Sequence, residues 1–104
     1  MPKVTRIGDS LSTGHGCDGT TTIADSNTDH TVTANSIPIN VIGAPTVVHD
    51  IPSGDSCVPH TDVIHVGSPN VFINGIAVGR IGDSTDAGSM ISGSPNVYAN
   101  SWYK

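Results

Sequence analysis

Apolar positions in this chain fall in short groups separated by Gly, Ser, Asn, Asp and Pro, and nowhere do they follow a helical period. Val71-Phe72-Ile73 and Ile76-Ala77-Val78 flank Asn74-Gly75, the dipeptide that best fits a two-residue type I′ turn, so the stretch predicts a β-hairpin. Pro69 sits where the first strand begins and no ladder donor is needed. Gly82-Asp83 then turns the chain toward the next hairpin. The unit repeats. Gly67-Ser68-Pro69-Asn70-Val71-Phe72 returns as Gly93-Ser94-Pro95-Asn96-Val97-Tyr98, and Arg6-Ile7-Gly8-Asp9-Ser10 returns as Arg80-Ile81-Gly82-Asp83-Ser84. A degraded copy, Val41-Ile42-Gly43-Ala44-Pro45, lies between them. Residues 18–36, rich in Thr, Asp and Asn, read as a loop insertion or an irregular hairpin. Each hairpin is too small to be stable alone, so the pattern predicts one domain over residues 1–104, a stack of short hairpins with their apolar faces inward.

Composition narrows the class to all-β. Leu occurs once (Leu11), Glu and Gln are absent, and Val, Ile and Thr supply eleven residues each beside twelve each of Gly and Ser. Straight-chain helix formers are almost missing, while β-branched residues and turn formers dominate. Only Phe72, Tyr98, Trp102 and Tyr103 are aromatic, so a small core of Val and Ile calls for a staple. Cys17 and Cys57 offer one disulfide; five histidines in so short a chain suggest a metal instead.

Charge excludes one class of partner. Nine Asp against two Lys and two Arg give a net charge of −5, with no basic footprint for nucleic acid. No apolar run reaches membrane-spanning length, and Met1-Pro2-Lys3-Val4-Thr5 lacks the layout of a signal peptide, which points to a chain made in the cytoplasm.

The run from Gly67 to Asp83 closely resembles the repeat of PAAR-domain proteins, as do Arg6-Ile7-Gly8-Asp9-Ser10 and Gly14-His15-Gly16-Cys17. The resemblance covers most of the chain outside residues 18–36. It implies a small pointed, conical β-structure with pseudo-threefold character, stapled by metal at its apex. One such monomer would cap the trimeric β-helical spike of a contractile phage tail, a type VI secretion system or a related injection particle. The implied place is the tip of that spike, in transient contact with a target-cell membrane, and the implied role is mechanical rather than enzymatic. The short Ser101-Trp102-Tyr103-Lys104 tail adds no effector, so the chain reads as a bare tip. The alternative is a metal-stabilised adaptor or effector carrier that is not a tip.

The same resemblance implies a structural ion, zinc or iron, held by three histidines and one cysteine. Cys57-Val58-Pro59-His60 precedes the Gly-Ser-Pro repeat, where the family places a Cys and a His. His15 lies in Gly14-His15-Gly16-Cys17, and His49 follows Val41-Ile42-Gly43-Ala44-Pro45-Thr46-Val47-Val48, matching a histidine that ends a family hairpin. The implied ligands are therefore His15, His49, Cys57 and His60, a closed set suited to a structural site. An isolated histidine is more often a surface residue, and Cys-x-x-His alone arises often by chance. Cys17 is a rival for the thiolate, a Cys17–Cys57 disulfide is a third outcome, and His65 can stand in for a ligand, although it reads as facing solvent or a neighbour. His30 reads as a surface residue of the insertion.

Gly8-Asp9-Ser10-Leu11 also spells the signature of GDSL hydrolases, and Asp62-Val63-Ile64-His65 supplies an Asp-x-x-His pair. Ser10 as nucleophile, His65 as base and Asp62 as orienter would make a triad. Against this, Gly-Asp-Ser recurs at 54–56 and 82–84 as a turn, and the Gly-x-Asn-Asp block of those enzymes is missing. Such enzymes also resemble α/β sheets of about twice this length.

Overall fold

The computed structural model describes residues 2–25 and 31–99. Among these residues every helix or strand element is a short strand: β1 (Ser10–Ser12), β2 (Thr20–Thr22), β3 (Thr33–Ala34), β4 (Ile37–Pro38), β5 (His49–Ser53), β6 (Ser56–His60), β7 (Phe72–Ile73), β8 (Ile76–Ala77), β9 (Ser84–Thr85) and β10 (Gly88–Met90). One sheet runs β2-β1-β10-β9, and β3-β4, β5-β6 and β7-β8 are separate hairpins. The fold is small and all-β, as the composition predicts, and its pairings are antiparallel.

The repeats meet in a closed ring. Arg6 bridges Ile39, Val41 bridges Val78, and Arg80 bridges Val4, so three equivalent segments join head to tail. Their middle residues, Thr5, Asn40 and Gly79, form the innermost circle. The Asn40 N–H donates to the Thr5 carbonyl (2.9 Å), the Gly79 N–H to the Asn40 carbonyl (2.9 Å), and the Thr5 N–H to the Gly79 carbonyl (3.0 Å). There is little space at this centre. A Cβ on Gly79 would lie 2.9 Å from Thr5 Oγ1.

Each segment then turns at a glycine in the left-handed region: Gly8, Gly43 and Gly82, with φ of 86°, 91° and 90°. Their amides donate to the carbonyls of Ile23, Ile64 and Met90 in turn. These three residues close a second tier, because Ile23 bridges Thr46, Ile64 bridges Thr85, and Met90 pairs with Leu11. Two apolar clusters result, one around Val4, Ile39, Ile73 and Val78, the other around Leu11, Ile23, Ile64 and Met90.

Asn74 and Gly75 both take positive φ (52° and 79°), the type I′ turn expected between β7 and β8. Asn35 and Ser36 do the same (55° and 67°) between β3 and β4, with Ser where glycine is usual. The described part of segment 18–36, read from the sequence as a loop insertion or an irregular hairpin, contains two short strands. It holds β2, paired with β1, and β3, paired with β4. The β-branched Thr20–Thr22 and Thr33 take up the ladder despite their polar surroundings. The Gly-Ser-Pro-Asn motif acquires a reason too. Ser68 Oγ accepts from the amides of Asn70 and Val71, and Ser94 Oγ from those of Asn96 and Val97, so each serine organises the entry to a hairpin.

Two of the three units carry an Arg–Asp pair where the third has Val41 and Ala44. Arg80 and Asp83 are each 5% exposed and bond in a fork, Nε to Oδ2 at 2.9 Å and Nη2 to Oδ1 at 2.8 Å. Removing one partner of a buried pair strands the other charge. Asp83→Ala is expected to cost about 3–5 kcal/mol in denaturant unfolding. Arg80→Val with Asp83→Ala, the apolar solution of the third unit, should recover most of that loss.

Candidate metal centre

Beyond the second tier, the loops of the three units converge. The first, after β1, carries His15. The second is the β5-β6 hairpin, in which His49 and His60 stand directly opposite each other at the open end. The third is the β9-β10 turn with Asp86, whose φ of 54° is one that a short polar side chain tolerates. Close backbone approach sets their spacing. A Cβ on Gly14 would overlap the Ala87 carbonyl, and one on Gly88 the Ser12 carbonyl. The glycine before His15 is thus required both by space and by its φ of 78°, and it lets His15 reach Asp86.

Each imidazole presents Nε2 to the Asp86 carboxylate. His49 lies 2.7 Å from Oδ2, while His15 and His60 lie 3.1 and 3.2 Å from Oδ1. The donor atoms of His15, His49, His60 and Asp86 all fall within 4.8 Å of one another. The Asp86 and His49 side chains are 4% and 2% exposed, so the centre of the group is dry. His49 Nδ1 is 2.8 Å from the Val47 carbonyl, which can only accept, so Nδ1 carries hydrogen and Nε2, which faces Asp86, is the nitrogen that would give up its own hydrogen to take an ion. Three imidazoles and one carboxylate form a donor set that fits a divalent transition metal, and the cluster can hold one.

The structure brings His15, His49 and His60 together but not Cys57, which calls for a correction. Cys57 forms a disulfide with Cys17, Cα–Cα 6.1 Å, and has no thiolate to give. The reason is strand alternation. Residues 57 and 60 are three apart on β6, so their side chains leave opposite faces, whereas joint ligation needs both on one side. Asp86 takes the fourth place instead. Its sequence signal was faint, a lone Asp in the Thr85-Asp86-Ala87-Gly88 turn.

His65 stays outside the group, 43% exposed in its side chain and 3.1 Å from Asp62 Oδ1. The pair required by the triad is therefore present, but among the described residues no hydrogen bond joins Ser10 to His65. The Ser10 N–H donates instead to Ser92 Oγ. His30 lies outside the described residues, as does the tail from Ser101 to Lys104. Compared with known proteins, the chain matches no family model, and no curated protein matches it in sequence.

Burial would raise the Asp86 pKa, but hydrogen bonds from His49, His15 and His60 outweigh it and hold the carboxyl below its ordinary value. A group whose pKa is depressed by folding stabilises the fold above its unfolded pKa, near 4, and loses that contribution as pH falls through the folded value. Acid titration of the chelator-treated protein should therefore show a loss of stability below about pH 4. The Asp86→Asn variant should lack that component of the acid transition.

Proposed function

We propose that this chain is a spike tip of the PAAR-repeat type, a pointed structure whose apex is stapled by one zinc or iron ion. The observation that carries the reading is the ring of three equivalent segments whose outer loops deliver His15, His49, His60 and Asp86 to one place. A monomer with internal threefold order suits a trimeric partner, since each protein of the trimer meets an equivalent edge. The opposite end of the units supports such docking. Two hairpins, β3-β4 and β7-β8, and the Lys3–Tyr98 bridge present the exposed apolar side chains Phe72, Ile76 and Tyr98, with Val32 just before β3. A trimeric β-helical spike ending there would extend the ladder and cover edges that otherwise invite association.

The metal's role would be structural. An ion bound by His15, His49, His60 and Asp86 cross-links three loops that lack an apolar core of their own, and its binding energy adds to folding energy. A tip held this way resists splaying when pressed against a membrane. The carboxylate in place of a thiolate favours zinc, iron or cobalt over softer ions.

Elemental analysis of the purified protein should find one transition-metal equivalent per chain. His49→Ala and Asp86→Ala should each lower that content. A chelator should reduce unfolding stability by several kcal/mol, as expected when a saturating ligand of the folded state is withdrawn. A pull-down on a β-helical spike trimer should retain one copy per trimer. Metal content without spike binding would leave the adaptor reading, and absence of both would end the proposal.

A further inference from the structure

The Cys17–Cys57 disulfide lies beside the metal centre, and its placement does more than staple the fold. Cys17 is two residues beyond His15, and Cys57 is three before His60, so the bond ties the loop of one ligand to the strand of another. Both cysteines are exposed, which leaves the bond open to thiol exchange. Cys17 is held at φ 64°, a conformation that L residues other than glycine seldom adopt without constraint.

The four ligands are not equally anchored. His49 and His60 are fixed by the five-pair register of β5-β6, and Asp86 by a turn between paired strands. His15 rides on a loop whose other ties to β5 are few. The Asp18 N–H donates to the Asp50 carbonyl (3.1 Å), and the Asp50 N–H donates to Asp18 Oδ2 (2.8 Å). Thr13 Oγ1 closes the loop on itself by donating to the Asp18 carbonyl at 2.7 Å. With the disulfide open, Cys17 is free to leave the left-handed region, and His15, still tied to the β9-β10 turn by the Ala87 N–H to Thr13 carbonyl bond (2.9 Å), loses its cross-link to β6 and is less closely aimed.

We infer that the Cys17–Cys57 disulfide is a redox latch on the His15/His49/His60/Asp86 metal site, with the oxidised chain binding its ion more tightly than the reduced chain. This inference rests on the metal reading above. The chemistry balances with a dithiol as reductant. Two exchange steps break the Cys17–Cys57 bond, transfer two electrons and two protons to give two free thiols, and leave the reductant as its own disulfide. Linkage is reciprocal, so the ion must protect the disulfide by the same factor by which the disulfide strengthens ion binding.

The test is titration of the full-length oxidised protein, and of the Cys17→Ser/Cys57→Ser variant, with Zn2+ and Co2+ against a chromophoric chelator. The variant is expected to bind at least tenfold more weakly. His15→Ala should weaken the oxidised chain strongly and the double-serine chain much less. A second measurement reads the equilibrium between the protein and dithiothreitol, with and without saturating Zn2+: it should shift further toward the disulfide in the wild type than in His49→Ala, the comparison that removes the zinc held by dithiothreitol itself. Equal affinities and a shift no larger than in His49→Ala would overturn the latch while leaving the metal site standing. Tighter binding on reduction, with a sulfur-to-cobalt charge-transfer band, would also overturn it, because a thiol would then be a ligand. Failure of the oxidised wild-type chain to bind either metal would remove the site and the latch together.

Discussion

Three backbone hydrogen bonds, from Asn40 to Thr5, Gly79 to Asn40 and Thr5 to Gly79, are the constraint on which the rest of the molecule depends. Each bond joins a different pair of segments, so all three form together only where the three segments meet at one centre. That requirement excludes a side chain at Gly79 and spaces Val4, Ile39 and Val78 around one apolar cluster. It also sends all three segments outward in the same sense, to turns at Gly8, Gly43 and Gly82. The convergence of the outer loops on Asp86 is the far consequence of that inner circle.

The molecule secures its shape with little apolar volume. Its two clusters contain small and medium side chains, and polar groups are buried beside them. The Arg80–Asp83 fork pins its own turn and, through Arg80 Nη2, reaches the Gly67 carbonyl. Thr5 Oγ1 and both amide atoms of Asn40 are buried without a hydrogen-bond partner among the described residues, which lowers stability by the desolvation they suffer. A fold that tolerates this cost in its centre gains from covalent and coordinate staples at its end. The disulfide and the histidine–carboxylate group lie outside both apolar clusters.

The fold was legible where local chemistry alone dictates conformation. Asn74-Gly75 announces its turn, and the repeated Gly-Ser-Pro-Asn and Arg-Ile-Gly-Asp motifs mark equivalent places around the ring. Asn35-Ser36 makes the same turn without the glycine that would have announced it, and Thr20–Thr22 looked like loop because polar composition hides an edge strand. At the site, three histidines could be chosen from the resemblance, but the fourth donor could not. Whether Cys57 or Asp86 joins them depends on which face of β6 a side chain leaves and on which turn meets His15 in space. Both are decided by strand register across units far apart in sequence.

Lys3 pairs with Tyr98, so one of the three pairings at the end away from the metal centre joins opposite ends of the described chain. During synthesis the segment around Val4 emerges first, yet its partners at Arg80 and Val97 follow only when nearly all of the domain has been made. At ribosomal speeds this delay lasts roughly five to twenty seconds. Throughout that interval the segment around Val4 waits without the partners that close the ring.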